Sequence, residues 1–186
     1  MTDTTVDVPG YRAGTWVLDP SHSEVQFSVR HMMISKVRGT FDVKEATIVA
    51  PENPLEARLT AHVDAASLST KDDGRDQHLR SGDFFDVENH PTIDFVSTGV
   101  RVDGGEFLVD GDLTIRGTTK PVTFEVDFGG FGSDPWGNYK AGATAKAVID
   151  REDFGLTWNA ALETGGVLVG KDVTITLDLQ GAHQAA

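Results

Sequence analysis

The chain has 186 residues and a mass of 20.0 kDa, about one domain, and its 39% hydrophobic and 24% charged residues fit a globular protein that stays in water. With 16 Lys and Arg against 29 Asp and Glu the formal charge is −13; no basic stripe offsets it, so neither nucleic acid nor an anionic membrane is an expected partner. Cysteine is absent, which excludes disulfides, thiolate zinc sites and cysteine nucleophiles, and no apolar run approaches the ~20 residues that span a bilayer as a helix.

Residues 1–14 are rich in Thr, Asp and Gly, lack periodicity, and are expected to form a flexible leader. They carry neither the basic nor the apolar region of an export signal, so a cytoplasmic location is expected. Beyond them apolar and polar residues alternate, the period-two pattern of strands with one buried face. Val25, Phe27 and Val29 begin the series, followed by a strand around 39–48 and by Ala57, Leu59, Ala61 and Val63. Residues 67–90 break the alternation after a Ser- and Asp-rich start, which predicts one or two short helices. Alternation resumes at Ile93 and Phe95, turns at Asp103-Gly104-Gly105, and continues through Phe107, Val109, Leu113 and Ile115, then Val122, Phe124, Val126 and Phe128. After a turn at 133–138 come Ala141, Ala143, Ala145, Ala147 and Ile149, an irregular crossover over 151–169, and a last strand with Val173, Ile175, Leu177 and Leu179. Residues 181–186 are expected to be a flexible tail.

About eight strands joined by short turns make an antiparallel all-β fold, either a closed up-and-down barrel or a sandwich. The row of alanines at 141–147 requires bulky partners, such as Trp158, Phe124 and Phe128, or a deliberate void. Both readings stand on side-chain size alone.

Candidate chemistry is sparse. The six histidines include no pair at metal-ligand spacing, so no metal site and no cofactor are expected. Ser21-His22-Ser23 invites a nucleophile reading, yet neighbours on a strand point to opposite faces. No phosphate loop, dinucleotide fingerprint or nucleophile elbow occurs, and no catalytic residue is assigned. One cluster stands out: Arg75, Asp76, His78 and Arg80, followed by Phe84 and Phe85. Two adjacent phenyl rings forgo roughly 1.5–3 kcal/mol of burial each if exposed, so this segment either plugs a barrel end or forms a lid whose polar groups meet a ligand head.

Several stretches are familiar: WVLDPSHSEVQFSVRH at 16–31, GTF at 39–41, SLST at 67–70, RDQHLRSGDFFDVENHPTIDF at 75–95, VDGDLTIRGTTKPV at 109–122 and REDFGLTW at 151–158. In this order the chain resembles the YceI-like family of polyisoprenoid-binding proteins over about 15–180. The resemblance implies an antiparallel eight-stranded lipocalin-like barrel with one or two short helices and an apolar channel. It also implies a long-chain isoprenoid or other lipid as ligand, and a homodimer. Strand parity then nominates Phe27, Val29, Phe41, Leu59, Phe95, Leu113, Ile115, Phe124, Ala143, Ala145 and Ile175 as lining. Phe84, Phe85 and Trp158 join them, and His31, His78 and Arg80 are expected at the polar head. Arg75 is expected to clasp Asp76 or Asp86.

The leading expectation is a non-catalytic lipid carrier, not an enzyme. An enzyme or redox protein acting on an isoprenoid quinone, with His31 or His78 as acid or base, would need a histidine beside a carboxylate at the channel mouth. A filled-barrel interaction module would have no cavity.

Overall fold

The structure, a computed structural model, describes residues 6–184. Nine strands follow one another: β1 (Gly14–Leu18), β2 (Glu24–His31), β3 (Ser35–Ala50), β4 (Arg58–Ser69), β5 (Thr92–Asp103), β6 (Glu106–Ile115), β7 (Thr118–Ser133), β8 (Tyr139–Asp150) and β9 (Val169–Gln184). One α-helix, α1 (Asp73–Arg80), stands between β4 and β5. No described helix is long and apolar enough to cross a membrane.

Every strand from β3 to β9 pairs antiparallel with the next, and β1 and β2 both pair with β3 and β9, which closes the sheet. β1 and β2 share one position in the barrel. β1 pairs with Thr47–Ala50 of β3 and β2 with Ser35–Phe41, so they are one stave broken in the middle. The wall therefore has eight staves, an all-β antiparallel barrel with one short helix, and this closed strand pairing selects the barrel over the sandwich.

Asp19 makes the break. Its carboxylate accepts hydrogen bonds from the Ser21 amide and hydroxyl and lies 2.8 Å from His22 Nδ1, starting a 3₁₀ turn over Pro20–His22. The Ser21 bond and then the His22 bond hold the Asp19 pKa down to about 2. This turn also explains why Ser21 Oγ and His22 Nδ1 come within 3.1 Å although a strand would separate them. Ser21 Oγ and Asp19 Oδ2 meet this one ring nitrogen in an exposed cap, so the cluster lacks the two-sided relay of a catalytic triad.

Helix formation in the non-alternating stretch begins later than its first polar residues suggest, because β4 continues through Ser69. Asp72 then caps α1 by accepting from the Arg75 amide. The crossover between β8 and β9 opens with a 3₁₀ turn, Arg151–Phe154, and contains an isolated bridge between Ala161 and Val167.

At the opposite end of the barrel, the described part of the expected leader lies against the strands. Tyr11 donates its hydroxyl to Pro51 O, Trp16 Nε1 donates to Arg12 O, and Tyr139 donates to Gly10 O. The Arg12 guanidinium stacks 3.5 Å above the Tyr139 ring. β9 carries the chain to Gln184, and residues 1–5 and 185–186 of the expected leader and tail lie outside the described residues.

Inward-facing residues of β5 to β8 form the packed part of the interior. Phe95, Leu113, Ile115, Phe124, Ala147 and Ile149 join Phe84, Phe154 and Leu156 from the two irregular segments. Phe95 and Phe124 meet edge to face at 5.3 Å. The Phe95 ring lies over Gly111 of β6, where a Cβ would stand 2.3 Å from Cζ and 2.7 Å from Val96 O. Glycine here lets a bulky ring hug the wall instead of crossing the lumen. Gly111→Val is expected to push the ring inward and cost about 1–3 kcal/mol, a fall in thermal midpoint of roughly 2–12 °C by circular dichroism. An unchanged midpoint would show that the ring has room to move.

Candidate functional site

A cavity of about 460 Å³ runs inside the barrel beside this packed cluster, within the ~300–1,000 Å³ usual for sites that enclose small ligands. Its lining reaches from Val8, Tyr11, Trp16 and Phe131 at the leader end to His78, Phe84 and Trp158 at the end carrying α1. Nearly all of it is carbon.

The alternation places these residues. Phe27 and Val29 of β2, Phe41 of β3, Leu59 of β4, Phe95 of β5, Leu113 and Ile115 of β6, Phe124 of β7, Ala143 and Ala145 of β8 and Ile175 of β9 all line the cavity. So do His31, His78, Phe84, Phe85 and Trp158. Along β8, Ala141 and Ala143 border the void, Ala145 and Ile149 belong to the core cluster and border the void as well, and Ala147 belongs to the cluster alone. Void and packed core thus share this strand.

Arg80 is the exception among the nominated residues. It does not line the cavity; its Nε donates to Ala66 O and its Nη2 to Leu68 O, so it pins α1 to the edge of β4. The expected clasp of Arg75 on a carboxylate also fails. Arg75 donates from Nε to Thr70 Oγ1 and from Nη2 to Thr70 O, while Asp76, 5% exposed, accepts from the Thr70 amide and hydroxyl. Arg75, not Arg80, is the α1 arginine beside the lumen.

Polar side chains gather at that end. His31, Arg75, His78 and Arg151 line the cavity there. The His78 imidazole lies 2.8 Å from Asp83 Oδ2 through Nε2, and its ring packs edge-on against Trp158 at 4.6 Å and Phe84 at 5.2 Å. One carboxylate and two aromatic faces fix its plane. Arg151, 4% exposed, meets only backbone carbonyls, and burial lowers its pKa against the opposing pull of Glu152 and Asp150.

The leader end was not anticipated. Trp16 stands edge to face with Phe131 at 5.8 Å and with His183 at 5.0 Å, and Phe107 meets Phe128 at 5.2 Å. Phe107 and Phe128 lie on the alternating pattern and could have been nominated by it. Phe131 reaches the lumen through the register shift between Phe128 and Gly130, and Val8 and Tyr11 carry no periodic signal at all. Among the described residues no three His, Asp or Glu side chains group to hold a metal ion.

A family model, the YceI-like domain, matches residues 16–181. A UPF0312 protein of Staphylococcus aureus strain MSSA476 is 40% identical over 160 residues, 85% of this chain and 91% of its own length. Burkholderia cenocepacia BcnA superposes with a TM-score of 0.75 at 23% identity, covering 88% of this chain and 98% of that one. A polyisoprenoid binding domain from Saccharophagus degradans superposes with a TM-score of 0.68 at 15% identity, covering 91% and 98%.

Proposed function

This chain belongs to the YceI-like family, and on that premise we propose that it binds and carries a polyisoprenoid or similar long-chain lipid inside its barrel without altering it. The observation that carries the reading is the continuous carbon-lined cavity between the two barrel ends. Water inside such a lumen finds few hydrogen-bond partners, so a hydrocarbon chain replaces it with a gain of about 0.8 kcal/mol per methylene, roughly 3–4 kcal/mol for each prenyl unit before ordering costs. No specific polar contact is required for affinity. His31, Arg75 and His78 give the α1 end the few donors that orient a polar head, which puts the tail toward Trp16 and Phe131. The Saccharophagus domain, named for polyisoprenoid binding, supports the choice of ligand class.

The experiment is native mass spectrometry of the purified protein, then solvent extraction and re-addition of a prenyl alcohol of about ten units. A releasable long-chain species, or stoichiometric uptake by the stripped protein, is expected. Stripped protein that takes up neither prenyl alcohols nor fatty acids would overturn the proposal. The His78–Asp83 pair favours a second reading, in which a bound quinone is chemically changed with the imidazole as acid or base. Turnover of an added quinone that disappears in His78→Ala would replace carriage by catalysis.

A further inference from the structure

Between Val25 and Phe41 the sequence contains no Asp or Glu, in a chain whose net charge is −13. That stretch is the β2–β3 hairpin. Its register sets Arg30 opposite Lys36 and Ser28 opposite Arg38, so three exposed cations cluster on one outward patch, although the composition had suggested no basic patch. Met32, Met33 and Ile34 form the turn, exposed by 45%, 53% and 80%, with Val167 of the crossover 39% exposed nearby. Met32 donates its amide to Leu168 O, and Met33 Cγ lies 3.2 Å from where a Gly166 Cβ would stand.

Two features set this tip apart from an ordinary turn. Met32 and Met33 have φ of 55° and 64°, a left-handed pair that glycine or asparagine would adopt with less strain, yet long apolar side chains occupy it. The tip also adjoins the lumen, because His31, Leu168 and Val169, immediately beside it, line the cavity. The acids of this barrel end belong to other segments, among them Asp72, Asp73 and Asp83 around α1, Glu152 and Asp153 after β8, Glu163 in the crossover and Asp172 of β9, the strand beside β2. The hairpin is the basic and apolar corner of an otherwise acidic molecule.

We propose that this hairpin docks the protein on an anionic lipid bilayer. Met32, Met33 and Ile34 enter the headgroup layer, Arg30, Lys36 and Arg38 hold lipid phosphates, and the α1 end of the channel is brought against the membrane from which a lipid would be drawn. The choice of a bilayer over a protein rests on charge complementarity with lipid phosphate and on continuity with the channel. The inference extends the carrier reading, and its test separates the two.

The test is co-sedimentation of the full chain with phosphatidylcholine vesicles, with and without ~30% phosphatidylglycerol, at low salt. Wild type is expected to bind the anionic vesicles at least tenfold more tightly than the neutral ones. Arg30→Gln with Lys36→Gln should weaken that binding about thirtyfold, as two removed cations predict, and Ile34→Asp should weaken it about tenfold. All three positions are exposed, so circular dichroism should be unchanged. Ala145→Phe, which narrows the channel, should bind vesicles like wild type. If that variant loses vesicle binding, the hairpin is not the docking element, whereas wild-type protein that docks on vesicles but takes up no lipid counts against the carrier reading alone. Equal binding of wild type and hairpin variants, or a wild-type dimer that Ile34→Asp dissociates without any vesicle binding, would overturn the proposal.

Discussion

Ala145→Phe is expected to weaken uptake of a long prenyl chain about hundredfold while leaving the barrel folded. Ala145 faces the lumen from the middle of β8, between Val126 of β7 and Leu177 of β9, and all three line the cavity. A phenyl ring there fills roughly the space of one prenyl unit. The displaced unit forfeits about 3 kcal/mol of burial, which converts to the hundredfold loss. A short prenyl alcohol, able to lie on one side of the ring, should lose much less. Trp16 and Trp158 line opposite ends of the channel and Trp136 is 84% exposed, so quenching of tryptophan emission follows the titration. The same substitution reads the state of the lumen. In a filled core the added ring would cost about 1–3 kcal/mol through overpacking, whereas in a hollow channel it lowers stability little or raises it. Unchanged affinity for the long chain would mean that the lipid lies elsewhere.

How much of this site can be read from the sequence depends on the element that carries each residue. Period-two alternation survives into the barrel because each strand has one wet face, so parity gives the inward side of Phe27, Phe95, Ala143 and Ala145, and the family resemblance gives the reading of that side as a channel. Parity fails where the ladder slips: Phe131 follows the irregularity after Phe128 and cannot be assigned by counting. On α1 the difficulty is phase. Arg75 and Arg80 are five positions apart, about 140° around a helix at ~100° per residue, so one meets the lumen and the other the wall. The sequence does not say which face of so short and polar a helix rests on β4. Ser21 and His22 were separated by assuming a strand, and the Asp19 cap removes that strand. Net charge is blind to such placement for a related reason: a sum over the chain averages away a hairpin whose cations become neighbours through the Arg30–Lys36 register.

The irregular segments hold what alternation cannot describe, and Arg151 is their fastening. It is 4% exposed, donating from Nε to Gly170 O at 2.7 Å, from Nη1 to Leu156 O and to Trp158 O at 3.0 Å, and from Nη2 to Val169 O at 3.3 Å. Among the described residues no carboxylate lies within ion-pair distance of it, so the guanidinium acts as a fork of donors that ties the crossover to the start of β9 and holds Leu156 and Trp158 in the lumen wall. Arg151→Met keeps the apolar stem and removes the fork. Each buried carbonyl left bare costs about 1–3 kcal/mol, and partial rehydration near Gly170 lowers the sum, so a loss of about 3–4 kcal/mol is expected. For a chain of this length the thermal midpoint should fall by roughly 6–16 °C. Arg151→Lys should recover only part of it, because one ammonium cannot span four carbonyls set for a planar guanidinium. Because the partners are carbonyls and not carboxylates, the difference between Arg151→Met and wild type should persist in ~0.5 M salt, where an ion pair would fade. A midpoint within about 2 °C of wild type, or a difference that salt abolishes, would mean that the crossover is held by other contacts and that Trp158 keeps its place without the arginine.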